Sequence, residues 1–261
     1  MSSKQSILRL PGIPMVMVMA CAAVLFSVVS AAVVDTVKPS QAAKATDLAA
    51  AAEDVTKSLE EAVADDDAFK KSQEDVEHKG YVIALLANAV SESEGDAKWK
   101  GRALAVRDAG VNLAKAKSVS DAQKALKEIQ GLFGGGEAGD RKPMNYLDIA
   151  TLEHVMKEVN DRDKLLNRNL KGTQFARNKE NIVRDANVWA LLAAIARADT
   201  KTAEQMKKPQ ADYDKHCDEF FKQAKNLAAA AGKGDQAKST EARKAAKAAC
   251  TNCHTDFRIS E

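Results

Sequence analysis

Apolar side chains recur at helical spacing through the second half of the chain. One stripe joins Ile149, Leu152, Met156 and Val159, each three or four residues after the one before. This period is typical of one apolar face of an α-helix. The pattern predicts four helices here, at about 146–165, 173–198, 211–231 and 235–258. Their lengths and short connections favour an antiparallel four-helix bundle.

The first half of the chain has a comparable pattern and predicts a second set of helices. These lie at about 43–63, 68–93, 97–117 and 120–133. A glycine-rich stretch, residues 134–142, follows them and has the composition of a linker. Straight-chain residues and alanine, which are good helix formers, dominate both halves, and no alternating strand pattern stands out.

A weak internal repeat relates the two halves. Residues 69–90 align without a gap on 175–196, and Phe69 then falls on Phe175. We therefore predict an all-α protein with two tandem antiparallel four-helix bundles, at 45–133 and 143–261. The end of the fourth helix in the first half has neither cysteine nor histidine.

The N-terminal segment predicts export. Lys4 and Arg9 precede an uncharged, mostly apolar stretch at residues 11–34. A basic start followed by an apolar region is the pattern of a signal peptide. The stretch is also long enough to span a bilayer, so residues 1–34 are either a cleaved leader or a membrane anchor. Both alternatives place the remainder outside the cytoplasm, in the periplasm.

Composition narrows the classes of partner and activity. The chain has 39 Lys+Arg and 37 Asp+Glu, and without Lys4 and Arg9 it is formally neutral. A neutral surface argues against nucleic acid as a partner. We find no catalytic triad order, phosphate-binding glycine loop or paired-carboxylate signature, so we expect no enzyme.

The strongest chemical signal is the C-x-x-C-H motif formed by Cys250, Cys253 and His254. In c-type haem proteins the two thiols attach the haem covalently and the histidine is an axial iron ligand. On a helix the three residues lie at i, i+3 and i+4 and share one face. A zinc or redox C-x-x-C is the alternative, but no second Cys/His pair has zinc spacing.

A four-helix bundle that ends in C-x-x-C-H-x-x-Phe-Arg resembles the cytochrome c-prime family, with Phe257 and Arg258 completing the motif. The resemblance covers residues 143–261 and reaches 45–135 only through the weak repeat, as a degenerate haem-free copy. It implies one haem c per chain, bound through iron. Some members have five-coordinate iron and bind small gases, whereas others have a methionine as sixth ligand and carry electrons.

The resemblance also suggests roles for three further residues. Met156 lies in a Val-Met-Lys segment similar to that of the low-spin members, so it is the candidate distal ligand; the alternative is a core methionine. Trp189 packs against either the haem or the bundle core. Arg258 stands near a haem propionate or is an ordinary cation at a helix end.

We therefore expect an exported monohaem cytochrome with His254/Met156 ligation that transfers one electron. One alternative is a five-coordinate protein that binds NO or CO. Another is a haem-containing docking module of a membrane redox complex. The redox partner is not identified by the sequence. Members of the family often form homodimers through their first helices, and a tandem bundle could cover that surface within one chain.

Overall fold

The computed structural model describes residues 38–257, and its regular structure there is helical throughout, without a strand. The all-α prediction is confirmed for this range. The predicted leader or anchor, residues 1–34, and Arg258 lie outside the described residues. From residue 38 to residue 257, no helix has both the length and the apolar character needed to cross a membrane.

Four helices form the first half, and each packs against the next. They are α1 (Ala45–Lys57), α2 (Asp66–Glu92), α3 (Ala103–Ala114) and α4 (Val119–Gly134). Side chains cap two of their starts: Asp65 accepts the Ala68 N–H at 2.8 Å, and Ser118 accepts the Asp121 N–H at 3.2 Å. α1 ends earlier than the predicted 43–63, since Ser58 follows it and bonds back to the Val55 carbonyl.

Two glycines allow α2 and α3 to pack very closely. A Cβ added at Gly80 would lie 2.5 Å from the Ala114 backbone nitrogen, and one at Gly110 would lie 2.9 Å from the Ala84 nitrogen. Real side-chain carbons do not approach backbone atoms so closely, so only glycine fits at this crossing. The crossing leaves no room between these two helices.

Seven helices form the second half. They are α5 (Tyr146–Ile149), α6 (Leu152–Asn169), α7 (Gln174–Arg177), α8 (Lys179–Arg197), α9 (Lys201–Gln205), α10 (Gln210–Gly232) and α11 (Gln236–Phe257). The long ones repeat the order of the first half, because α6 packs on α8, α8 on α10 and α10 on α11.

Two predicted helices are each divided in the structure. The predicted helix 146–165 breaks at Ala150, whose backbone is extended (φ −143°, ψ 146°). The break lets Tyr146 and Ile149 bury themselves, with the Tyr146 hydroxyl donating to Glu92 at 2.7 Å. The predicted helix 173–198 is interrupted at Asn178, whose side chain donates to the Gln174 carbonyl and so competes with the helical pattern.

The two halves pack against each other through their first two long helices. α1 contacts α8, and α2 contacts α6. Polar pairs cross this junction: Asn187 donates to Asp47 at 2.9 Å, and Lys157 pairs with Glu74 at 2.8 Å.

The junction contains a buried network of charged side chains. Arg162 lies between two carboxylates, at 2.5 Å from Glu158 and 2.6 Å from Asp185. His78 of α2 approaches Glu158 at 3.2 Å, and all four residues are less than a tenth exposed. Buried charges of this kind are stable only when they are paired, so the network fixes how the halves meet.

The connection between the halves is held against the first half. Buried Asn88 bonds both the N–H and the carbonyl of Met144 at 3.1 Å. Buried Arg107 donates to the Lys142 carbonyl at 2.6 Å. The stretch predicted as a linker, residues 134–142, is thus docked on the first half at its C-terminal end.

Candidate functional site

The C-terminal helix α11 carries the motif on one face. Asp235 accepts the Lys238 N–H at 3.0 Å at its start, and Ala242, Ala246 and Ala249 bury the inward stripe. Cys250 and Cys253 continue this stripe and are partly buried, whereas His254 is exposed at the residue level. The helical spacing predicted for the motif is confirmed.

The motif lines an apolar crevice between four helices. Cys250, Cys253 and His254 form its α11 wall. The neighbouring helix α6 contributes Met156 and Val159. The remaining lining residues come from α8 and α10 and are Leu192, Ala193, Ala196, Tyr213, His216, Cys217 and Phe220, with Ala249 of α11.

Ion pairs fix the register of α6 against α11. The Asp163 carboxylate accepts from Arg243 at 2.7 Å and from Lys247 at 3.2 Å. Met156 precedes Asp163 by two helical turns, and His254 follows Lys247 by two turns. Because the helices run antiparallel, Met156 and His254 lie at the same level of the crevice.

The end of α11 is held on α10 by aromatic and charged contacts. Phe257 is buried and meets Tyr213 edge-on, with ring centroids 5.3 Å apart. Asp256 accepts from Lys208 at 3.2 Å and approaches His216 Nε2 at 3.1 Å. The hydrogen bonds from Lys208 and then His216 hold the pKa of the Asp256 carboxyl below its usual value. These contacts anchor the motif on both sides.

In the haem-free chain, the environment of the crevice favours the protonated form of its thiols. Burial, and then the neighbouring Cys253, raises the pKa of the Cys250 thiol to about 12, and burial raises the pKa of Cys253 to about 11. Burial also raises the pKa of Cys217, which lies across the crevice on α10. None of these three cysteines is in a disulfide.

The other predicted residues have different positions. Trp189 is buried in the bundle core, where its N–H donates to the Val159 carbonyl at 2.9 Å and its ring packs on Phe220. It therefore supports two residues of the crevice wall. His154 points away from the crevice, beside Tyr81 of α2 at 4.6 Å between ring centroids. Arg258 lies outside the described residues.

Sequence reasoning missed the contribution of α10. Tyr213, Cys217 and Phe220 all line the crevice and lie three or four residues apart. This spacing marks one helix face and was the available signal. It is the same signal that a plain core helix gives, so it does not by itself indicate a binding wall.

The residues of the crevice fit a covalently attached haem. Two thiols on one helix face match two thioether bonds, and an adjacent imidazole can ligate iron. A methionine sulfur at the same level on the facing helix is a common second ligand. The walls between them are apolar, which suits a porphyrin plane.

Comparison with known proteins agrees with this chemistry. The family model described as cytochrome C' matches residues 148–258, which is less than half of the 261 residues. No curated protein and no solved structure matches the chain. The match implies a c-type haem with iron. Residues 148–258 thus match the cytochrome c' family, which confirms the resemblance for the second half of this chain.

Proposed function

We propose that this protein is an exported electron carrier that binds one haem c in the crevice between α6 and α11. The observation that carries the proposal is the level shared by Met156 and His254 on facing helices. Cys250 and Cys253 would hold the haem covalently, and His254 and Met156 would ligate its iron. Arg258 remains a proposed haem contact, whereas Trp189 would act behind the crevice wall, through Val159 and Phe220.

The chain has three tasks in this proposal. The bound haem supplies a one-electron iron couple. Ion pairs to Asp163 fix the register of α6 against α11, so Met156 and His254 would stay in place to ligate the iron. The apolar walls, including Val159 and Leu192, exclude water and so tune the potential. No substrate chemistry is needed, and we propose no enzyme activity.

We further propose that the first half is a degenerate, haem-free copy of the second. Both halves pack their long helices in the same order. In this order α1 corresponds to α6, and α2 corresponds to α8. The contact between α1 and α8 therefore has its equivalent in the contact between α6 and α2. An interface in which each contact has such an equivalent is two-fold symmetric, as expected for two tandem bundles that arose by duplication.

A tryptophan occupies the interior of the first half near the end of its fourth helix. Trp99 is completely buried, its N–H donates to Glu53 at 2.8 Å, and its ring packs on Phe133 near the end of α4. Phe133 stands near the C-terminal end of the fourth helix, as the haem motif does in the second half. This supports a stoichiometry of one haem per chain.

The proposal also covers export and partners. Residues 1–34 direct the chain to the periplasm as a leader or an anchor, and the mass of the purified protein from its native compartment distinguishes these. The redox partner is a protein of unspecified identity, and nucleic acid is not a partner. The surfaces of α1 and α2 that face α8 and α6 are covered within the chain, so a homodimer would need another surface.

The decisive experiment is the optical spectrum of the purified haem protein, oxidised and reduced, with and without carbon monoxide. A low-spin reduced spectrum that carbon monoxide does not change supports Met156 ligation. The variant Met156→Ala should then become high-spin and bind carbon monoxide. Met144→Ala is the matched control, because Met144 is 43% exposed and bonded to α2.

The same spectra distinguish an electron carrier from a five-coordinate, gas-binding protein. A wild-type spectrum that is high-spin and shifts with carbon monoxide would contradict methionine ligation. It would favour a five-coordinate, gas-binding protein in which Met156 only packs beside the distal site. The apolar lining next to Met156 is the observation that favours this second candidate. The pyridine haemochrome absorbance per chain, together with the intact mass, measures the haem stoichiometry, and two haems per chain would contradict the haem-free first half.

A further inference from the structure

A second cluster of ligand-forming side chains lies at the junction of the halves, on the face of α6 away from the crevice. His78 of α2 and Glu158 and Asp161 of α6 each contribute one donor atom to the cluster. The three atoms lie within 4.8 Å of one another. The carboxylates are at i and i+3 on α6 and therefore share one face.

Neighbouring cations orient both carboxylates. Arg162 binds Glu158 through Oε1 at 2.5 Å, which leaves Oε2 facing His78. Lys164 binds Asp161 through Oδ1 at 2.7 Å, which leaves Oδ2 facing the same ring. Outer partners that hold one oxygen of a carboxylate while the other binds are typical of metal sites.

The polar contacts of the buried His78 imidazole are made through its Nε2 atom. Only 2% of the residue is exposed, and Nδ1 has no hydrogen-bond partner. Its polar stabilisation comes through Nε2, from a 3.2 Å contact with Glu158 and a 3.9 Å contact with Asp161. A group that binds Nε2 and both carboxylates would satisfy it better than a single hydrogen bond.

We infer that His78, Glu158 and Asp161 form a site for one divalent transition-metal ion, with Zn²⁺ as the best fit. Zinc accepts imidazole nitrogen and carboxylate oxygen, and water completes its four ligands. Donors around an ion with bonds of about 2.1 Å lie about 3.4 Å apart. His78 and Glu158 have nearly this separation, at 3.2 Å, and Asp161, whose side chain is 39% exposed, lies slightly further from His78, at 3.9 Å.

The cleft next to the cluster provides a route for the ion. It is lined by the three donors and by Asp54, Ser58 and Lys79 of the first half. The three donors come from both halves, so a bound ion would join α2 to α6. This role is structural and does not depend on the proposed haem function.

Isothermal titration of the untagged, haem-loaded protein with Zn²⁺ tests the site. We expect one ion per chain, and an affinity at least about tenfold weaker in Asp161→Asn and in His78→Gln. Asp218→Asn is the matched control, since Asp218 is also a partly exposed aspartate paired with a cation, Arg197, but on α10. It should bind zinc like the wild type. Circular dichroism verifies that each variant is folded.

Two further readouts locate the ion and measure its effect. Anomalous scattering at the zinc edge should give a peak between His78 and Asp161. The wild-type melting temperature should rise with Zn²⁺, while that of Asp161→Asn should not. The inference would be overturned if zinc binding did not saturate or if Asp161→Asn bound zinc as tightly as the wild type. It would also be overturned if the anomalous peak lay elsewhere in the protein. The haem spectrum is recorded in the same samples, so a failure of the haem proposal is seen separately.

Discussion

Replacing Arg162 with methionine should destabilise the folded chain far more than an ordinary surface change. Arg162 is 6% exposed and is the cation for two carboxylates that are themselves buried, Glu158 and Asp185. Methionine keeps most of the apolar stem but leaves both carboxylates without that partner. Removing one partner from a buried ionic network costs about 3–5 kcal/mol. We expect this loss at pH 7 from urea unfolding in the presence of a chelator.

The loss should depend on pH in a definite direction. Burial raises the pKa of Asp185 even against the opposing effect of Arg162, and the charge of Glu158 adds to the rise. Burial also opposes ionisation of Glu158, but Arg162 and His78 outweigh it and lower the pKa of that carboxyl. Without the guanidinium, both folded-state values rise above those of the unfolded chain. The folded variant then binds more protons than the unfolded chain as the pH falls, so its relative stability increases toward acid. The penalty at pH 5 should be smaller than at pH 7.

A neighbouring arginine provides the control. Arg184 also crosses the junction, but its partner Asp54 is 63% exposed at the side chain. An exposed pair contributes about 0–1 kcal/mol, so Arg184→Met should cost no more than that. Equal penalties for the two arginines, or an Arg162→Met penalty that stays constant between pH 7 and pH 5, would refute the reasoning.

Two other predictions test packing and thiol chemistry. In the haem-free chain, iodoacetamide at pH 8 should modify Cys253 about 100-fold more slowly than after unfolding in guanidinium, because its pKa of about 11 leaves little thiolate. The rate of modification in the folded chain should rise about tenfold per pH unit between pH 8 and 10. Mass spectrometry measures this rate. Equal rates in the folded and unfolded chains would contradict the argument that burial raises the pKa. Gly80→Ala should cost at least about 1–3 kcal/mol in thermal unfolding, since its Cβ meets the α3 backbone. Gly131→Ala in α4, where nothing lies within 4 Å, should instead be neutral or stabilise by up to about 1 kcal/mol, and a similar loss in both variants would contradict the close crossing.

Much of the candidate site could be predicted from local features of the sequence. Cys250, Cys253 and His254 are close in sequence, so helical geometry alone places them on one face. Met156 was indicated by resemblance and apolar spacing, and the structure places it across the crevice from them. Its role as a ligand stays a prediction.

Long-range pairings were beyond the sequence. His78 and Glu158 are 80 residues apart, and each taken alone reads as an ordinary polar residue on a helix. The break at Ala150 was hidden for a related reason: alanine is the best helix former, and the break follows from burying Tyr146 against α2. In both cases tertiary packing overrides what the local pattern indicates.

The contact of α1 and α2 with α8 and α6 is made within one chain, so it does not depend on protein concentration. Two separate subunits joined by such a polar interface would come apart at low concentration, whereas two halves of one chain stay at an effective concentration of about millimolar or more. The junction can therefore keep charged groups such as Arg162 in its interior without losing association. Because the link between the halves is covalent, we expect their contact to be the same at nanomolar and at millimolar protein.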